Sequence, residues 1–501
     1  MFDPIIDWLN GKEEQLLGGD SNNARFVRST FWLTASTIIT LMLGMVSSIA
    51  VARMLDKTAF GEFGMIINTI AMLGTFAGLG LGLTSTKYVA EFKTKDPLKA
   101  ARIMKLTNHL AVFSGGLVSI LIFIFAEYIS TRILNAPELS SKLRLGCVLL
   151  FLNTLNGTQT GALYGLESFK TVTKVNTIRG MINAPVLIAA TYFFGLSGAV
   201  AGVVISGSAG WFLNHIALGA ESRKINLPSD TGNIFSELDV LWKFSLPALL
   251  GGALTGPVIW IANTILANKP GGYGELGLIN AANQWRNLIT MLPSIFCSAA
   301  LPILSSGGNS NAHDRDTLDL TQRITIAVIL PLYTGTLFLG DVIMSFYGRS
   351  FAAGYPILVG ITLAICIMAF SSTVATNLAA TGKMWLGFLY NLAWGIVLIS
   401  FVYLFCGRWG ARAYAAGYLL SYLVLLTLVF LYSRKDLMKK TVTFTLFSVI
   451  YLLVVTSSAL SMTPGTRIAL SAPFMLLSAG LAALALGKDT MTKILCKIKG
   501  S

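Results

Sequence analysis

Apolar runs of about 18 to 25 residues, nearly free of charge, follow one another along almost the whole chain, and each is long enough to cross about 30 Å of hydrocarbon as a helix. Hydropathy places them at roughly 30–52, 62–84, 107–129, 145–165, 178–196 and 198–219. After a polar stretch they resume at roughly 244–267, 277–303, 323–346, 356–379, 384–406 and 411–432, and a final pair follows at roughly 442–460 and 468–487. In lipid every backbone N–H and C=O must bond inside the protein, which leaves helix bundles and closed barrels. Alternating barrel segments of about ten residues are absent. The expected fold is therefore all-α, a polytopic membrane protein with about fourteen transmembrane helices. Composition agrees: 54% of the 501 residues are hydrophobic and 12% are charged, about half the charge of a soluble domain.

A second pattern lies over the first. The stretch Arg53-Met54-Leu55-Asp56-Lys57-Thr58-Ala59-Phe60-Gly61-Glu62-Phe63-Gly64 returns in part as Tyr273-Gly274-Glu275-Leu276-Gly277, an offset of 213 positions. Gly198-Ala199-Val200-Ala201-Gly202 lines up with Ala413-Tyr414-Ala415-Ala416-Gly417 at an offset of 215. Weak internal symmetry of this kind marks a carrier built from a repeat. The expected organisation is a segment 1–29, a six-helix bundle over 30–219, a linker over 220–243, a second six-helix bundle over 244–440, and an extra helix pair with a basic tail over 441–501. The linker holds the turn cluster Pro228-Ser229-Asp230-Thr231-Gly232.

Charge sets the orientation. With the N-terminus inside, the cytoplasmic segments collect about 26 of the 37 basic residues, the bias expected of cytoplasmic loops. The dense clusters are Lys87 to Lys105, Arg434 to Lys440, and Lys488 to Lys499. Both termini are expected in the cytoplasm, and the net charge of +14 is mainly a topology signal. No folded basic domain or stacking platform accompanies it, so nucleic acid is not an expected partner. Trp32, Trp211, Trp242, Trp385 and Trp409 fall near expected span ends, as an interfacial belt requires. Gly74, Gly78 and Gly82 form a small-residue face on the second span, read as close helix packing.

Several chemistries are excluded or unsupported. Residues 1–29 lack an apolar core and carry five acidic residues, so they do not read as a secretory signal. A short helix on the membrane surface, through Phe2, Ile5, Ile6, Trp8 and Leu9, and an unstructured tail are both compatible with them. The five cysteines are scattered without metal-ligand or disulfide-framework spacing. His109, His215 and His313 are far apart, so no metal site and no cofactor are expected. Gly382-Lys383 is followed by Met and Gly487-Lys488 by Asp, so no phosphate-binding loop for ATP is present. Transport must then draw on a gradient or the membrane potential.

Arg53-Met54-Leu55-Asp56, Phe60-Gly61-Glu62-Phe63, a glycine-rich second span and Lys87-Tyr88-Val89-Ala90-Glu91 together resemble the start of bacterial polysaccharide flippases. These are the O-antigen and exopolysaccharide translocases of the superfamily that includes lipid II flippases and multidrug exporters. The resemblance implies two pseudo-symmetric bundles that alternate between inward- and outward-open states in the bacterial inner membrane. The implied cargo is an undecaprenyl-diphosphate-linked oligosaccharide made on the cytoplasmic face. The implied partners are membrane lipids, a polysaccharide polymerase and other assembly proteins. Many members have twelve spans; the extra pair here resembles the fourteen-helix members, in which it can form a groove for the lipid tail.

Arg286 is the sharpest candidate for contact with such a cargo. It lies about nine residues into the eighth span, roughly 13 Å along the helix, where a cation costs at least about 2.5 kcal/mol and normally faces a cavity or a partner. No acidic residue stands at 282, 283, 289 or 290, and the offset carries it to Leu73. Its guanidinium suits the oxygens of a diphosphate; the competing account is a structural pairing on another helix. Asn283 shares its face, and Asn263, Asn153 and Asn156 add amides suited to sugar hydroxyls or to bonding between helices. Arg53 reads either as an ion pair with Asp56 or Glu62 or as an outer gate. Lys87 and Glu91 read as a local i,i+4 pair or as an inner gate. Pro247, Pro257, Pro293 and Pro302 can bend their helices, as hinges or as fixed shape.

Two other classes compete. A multidrug or cation antiporter of the same architecture needs acidic residues deep in the bundle. The first span has none, and Glu127 and Asp341 fall near external ends. A membrane enzyme needs clustered acids, bases or nucleophiles and usually a large external loop, and neither is present.

Overall fold

The computed structural model describes the backbone of residues 22–228, 232–245, 249, 254–305, 311–380, 384–433 and 439–486, with side chains outside 22–36, 241, 243, 292–318, 372–384 and 433–441. Pro247 and the tail beyond 486 lie outside the described residues, as do residues 1–21 and the side chains of Trp32, Pro293, Cys297, Pro302 and His313.

Helices account for nearly all of the described chain, and no strand occurs among the described residues. In order they are α1 (Asn22–Gly78), α2 (Leu81–Phe92), α3 (Pro97–Tyr128), α4 (Ser140–Gly165) and α5 (Phe169–Lys224). The second half gives α6 (Thr255–Ala267), α7 (Gly272–Ser305), α8 (Asn311–Ser345), α9 (Tyr355–Ala380), α10 (Met384–Trp409) and α11 (Ala411–Ser433). The last two are α12 (Lys439–Ser461) and α13 (Pro464–Leu486). Among the described residues nine helices are long and apolar enough to cross a membrane, and the protein is a multi-pass membrane protein. Those nine do not by themselves return the expected fourteen spans. Two of them, α1 and α5, fold back on themselves, while α4 and α7 carry the amides and the arginine discussed below.

The fold-backs have local causes. In α1 the break is at Asp56, whose φ of 66° is left-handed. Its carboxylate accepts from the backbone N–H groups of Thr58 at 2.7 Å and Ala59 at 3.1 Å, the bonds by which an aspartate caps a helix start. Gly44 and Ala71 then border the same cavity, although a straight helix would hold them about 40 Å apart. In α5 the break is at Gly195, φ 55°, and a Cβ on Gly198 would overlap the carbonyl of Ala190. The second arm of α1 ends at Leu79 and Gly80, both with positive φ, before α2 continues.

The repeated motifs meet face to face. A Cβ on Gly61 would overlap the backbone carbonyl of Tyr273, and one on Gly277 would overlap that of Lys57. Small residues let membrane helices approach this closely, so the second arm of α1 and the start of α7 join the lobes at one end, here called the motif end. At the same end Arg53 Nε donates to the Phe346 carbonyl at 2.7 Å, and the Tyr273 hydroxyl donates to the Leu134 carbonyl at 2.8 Å. Glu275 accepts from the Ala411 N–H at 2.9 Å and so caps α11 behind Gly410.

At the opposite end the linker folds onto the first lobe. Glu237 stands 3.8 Å from Lys99 and 4.0 Å from Arg102, and Thr84 and Ser245 hydroxyls are 2.6 Å apart. The last two helices pack on α8. Tyr333 hydrogen-bonds Thr456, Gln322 donates to Thr445 at 3.3 Å, and Phe338 stacks on Phe474. Buried Arg467 meets Asp341 at 3.3 Å and lies over the Tyr355 ring at 3.8 Å. Glu127 pairs with Arg144 at 3.5 Å. Trp242, Trp385 and Trp409 are exposed near helix ends, where a belt of interfacial aromatics belongs.

Candidate functional site

Between the lobes, just inside the motif contact, lies a cavity of about 320 Å³. Both arms of α1 line it through Ser48, Phe60 and Asn68, and α7 lines it through Asn280, Asn283 and Gln284. Its polar lining is made of amides and a hydroxyl, and no carboxylate borders it. Arg286 follows on α7 one turn beyond Asn283, fourteen residues from the helix start, or about 21 Å. The helix begins at Gly272, five residues before the expected span, yet Arg286 stays near its midpoint.

The guanidinium is partly buried and bonds weakly. Arg286 Nη1 donates to the Tyr418 hydroxyl at 3.4 Å, a long contact for a charged donor. The Tyr418 hydroxyl lies in turn 3.5 Å from that of Tyr422, and the Tyr418 ring stacks on Tyr414 at 6.0 Å. Trp394 packs edge-on against Tyr418 at 6.1 Å and at a tilt of 46° against Tyr422 at 5.6 Å. Among the described residues no carboxylate pairs with Arg286. A guanidinium has five N–H donors, so most of them have no protein partner among the described residues. The sequence reading missed these aromatics. Their signal was Tyr414-x-x-x-Tyr418-x-x-x-Tyr422, which puts three phenols on one face of a membrane helix.

The amides separate into different roles. Asn283 borders the interlobe cavity. Asn153 opens into a second cavity of about 280 Å³ inside the first lobe, with Gly74, Gly78, Gly82, Gly157 and Thr158. Asn156 is a buried link between α4 and α5: its Nδ2 donates to the Gly207 carbonyl at 3.1 Å and its Oδ1 accepts from Asn214 at 3.0 Å. Asn263 is buried with its Oδ1 unbonded and borders neither cavity. The glycine face likewise divides. Gly82 packs against the Gly157 and Gly161 backbone, whereas a Cβ on Gly74 or Gly78 would meet open space.

The gate candidates differ from the pairings that spacing suggested. Arg53 binds the Phe346 carbonyl of the other lobe; among the described residues it has no ion pair with Asp56, whose carboxylate is occupied as a cap, or with Glu62. Lys87 Nζ lies 4.3 Å from the Phe244 ring centre and 4.9 Å from that of Tyr88, and no pair with Glu91 forms among the described residues. Glu91 is exposed. Phe244 immediately follows the linker in sequence, and a cation over an aromatic face gains about 0.5–1 kcal/mol when exposed. No group of three or more metal-ligating side chains occurs among the described residues.

Two lobes around a central cavity, with a broken second helix, define a fold known from solved transporters. The lipid II flippase MurJ in an inward closed conformation superposes with a TM-score of 0.67 at 15% identity, over 90% of this chain and 98% of that one. An inward-facing multidrug resistance MATE family transporter of the MOP superfamily gives 0.64 at 15% identity, over 79% and 94%. A MOP superfamily transporter from Pyrococcus furiosus, described as having a binding pocket of reversed polarity, gives 0.63 at 16% identity, over 85% and 97%. The chain has the MOP-superfamily transporter fold. Residues 26–307, more than half of it, match the family of polysaccharide biosynthesis proteins, and the chain belongs to that family. No curated protein matches it.

Proposed function

We propose that this protein is a flippase that carries an undecaprenyl-diphosphate-linked oligosaccharide from the cytoplasmic to the outer leaflet of the bacterial inner membrane by alternating access. The observation that carries the reading is Arg286: a guanidinium near the middle of its helix, bonded to one phenol of a three-tyrosine face, one turn from a carboxylate-free cavity. An intramembrane cation without a counter-charge is costly, and a diphosphate supplies the oxygens its free donors lack. Asn280, Asn283 and Gln284 on α7, and Asn68 across from them on α1, offer amides to the first sugars. The prenyl tail stays in lipid while the headgroup crosses. The membrane potential favours this direction, since each negative charge moved outward gains about 2.3 kcal/mol per 100 mV.

A cation antiporter would put a carboxylate in the cavity, and its lining has none. Arg286→Ala is expected to reduce surface polysaccharide display at least tenfold at unchanged protein abundance, because charge-assisted bonds contribute about 1.5–3 kcal/mol. Arg286→Lys should restore part of it. Normal display in Arg286→Ala removes the guanidinium from the transport path. Gradient-driven efflux of fluorescent cations by the reconstituted protein would replace the flippase by the antiporter.

A further inference from the structure

A second polar stripe lies on the first arm of α5, in the lobe opposite Arg286. Asn176, Arg179 and Asn183 are all partly buried, and at 3.6 residues per turn they fall within about 60° of arc. Ile178 and Met181, 44% and 38% exposed, mark another side of the helix, about 100° and 160° round from Arg179. The stripe is therefore off the greasy outer face. None of the three side chains makes a hydrogen bond or ion pair among the described residues.

Hydropathy puts Arg179 at the edge of its span, where it counts as one more topology charge. The helix instead begins at Phe169, so Arg179 is about 15 Å along it and close to the midpoint of the arm that ends before Gly195. The start of that arm is fixed: Ser168 and Thr171 donate to Glu221 at 3.1 and 2.8 Å. Arg179 lies two turns deeper, with its stem across Gly210 of the second arm. A Cβ on Gly210 would stand 2.9 Å from Arg179 Cδ and 3.0 Å from Nε, so a side chain there would shift the stem from its present place. A cation at this depth normally faces an interior space or a partner.

The pattern Asn176-x-x-Arg179 repeats Asn283-x-x-Arg286 on α7. It is no product of the internal repeat. The offsets of 213 to 215 carry Arg179 to Leu392–Trp394 and Arg286 to Ala71–Leu73, so the same chemistry stands on unrelated helices, one per lobe. We propose that Asn176, Arg179 and Asn183 form a second binding stripe for the phosphate-bearing head of the cargo, with Arg179 on the phosphate and the amides on the adjoining sugar. This rests on the reading of the cargo as a prenyl-diphosphate-linked saccharide. With a forked donor on each lobe, the head keeps one guanidinium partner while the other lobe moves away.

Anionic phospholipid headgroups share the phosphate chemistry, so the test separates the two sources. The full chain in phosphatidylcholine nanodiscs is titrated with radiolabelled farnesyl diphosphate, a short prenyl diphosphate. Arg179→Gln is expected to weaken binding tenfold or more, and Arg179→Lys, which keeps the charge without the fork, less. Gly210→Ala keeps both arginines but displaces the Arg179 stem, so it too should weaken binding; if Arg179→Gln fails to fold, Arg179→Lys and Gly210→Ala carry the same comparison. Parent-like binding in the Arg179 and Gly210 variants, with loss in Arg286→Gln, overturns the stripe and leaves the flippase reading intact. Unchanged binding in the Arg286 variant as well overturns both. A fall of the parent protein in phosphatidylglycerol nanodiscs to the Arg179→Gln level assigns the stripe to phospholipid and overturns its assignment to cargo.

Discussion

The two copies of the short repeat share a sequence pattern but have different roles. In the second copy Glu275 accepts the Ala411 N–H and fixes the turn at Gly410, so the carboxylate holds its own lobe together. In the first copy Glu62 is partly buried beside the other lobe and makes no hydrogen bond or ion pair among the described residues. The glycines diverge too. Gly61 and Gly277 meet backbone carbonyls across the junction, but their repeat partners Gly274 and Gly64 meet only side-chain atoms. The offset that relates the copies thus pairs glycines pressed on backbone with glycines that face side chains, Gly64 the Asn280 amide and Gly274 the Lys57 and Thr58 side chains. A sequence repeat preserves the helix and its small-residue face; which member of the face is pressed depends on how the lobes cross.

The largest expected effect follows from that asymmetry. Gly61→Val or Gly277→Val places carbon against a carbonyl that cannot rotate away, and overpacking of this kind costs about 1–3 kcal/mol or more. The junction should open tenfold or more often, read as faster labelling of a cysteine introduced beside it, with transport reduced. Gly274→Ala, whose nearest neighbours are the Lys57 side chain at 3.4 Å and the Thr58 hydroxyl at 3.5 Å, should leave labelling and transport near the parent values. Equal sensitivity at Gly61 and Gly274 would mean the crossing is symmetric after all.

A smaller effect separates the glutamates. Glu275→Ala removes a helix cap and should cost about 0.5–2 kcal/mol, seen as a lower midpoint in thermal unfolding of the detergent-solubilised protein. Glu62→Ala removes no bond found in the structure and should stay within about 0.5 kcal/mol of the parent. Matching losses would show that Glu62 too serves as scaffold.

How much of this was legible in the sequence depends on what each residue's role requires. The apolar runs alone specify helices, and the repeat alone specifies two related lobes, because both are properties of chain order. Arg286 was legible because charge in a membrane helix is conspicuous wherever it points. Arg179 was not, because Lys170, Lys174 and Asn176 interrupt the apolar run although the helix continues through them; long side chains at a helix end can reach water. The fates of Asn153, Asn156, Asn263 and Asn283 were not legible either. A helix that is apolar on every side has no face that fixes its rotation. An amide on it can then turn into a cavity, as Asn283 does, or into a neighbour, as Asn156 does. The tyrosines around Arg286 belong to the same problem: their spacing names a face of α11, and only packing decides what that face meets.

The glycine face of the second span gives the finest test of that distinction. Its three members are equally spaced and equally small, so sequence ranks them alike, and all border the cavity that holds Asn153, yet their Cβ positions meet different things. Gly82 stands with its Cβ position 2.9 Å from the Gly157 carbonyl, and the Cβ position of Gly74 or Gly78 is open toward the cavity that holds Asn153. Alanine at Gly74 should stabilise its helix by up to about 1 kcal/mol through backbone propensity, and cost transport only if the cavity admits cargo. At Gly78, next to the break at Leu79, the gain should be smaller, because the helix ends there. Alanine at Gly82 must push α2 from α4 and should lower thermal stability by about 1–3 kcal/mol. Thermal unfolding and transport of the three single variants, measured side by side, separate packing from lining. Should Gly74→Ala lose transport while gaining stability, the first-lobe cavity is part of the cargo path; should all three lose stability together, the stripe is a packing face along its whole length.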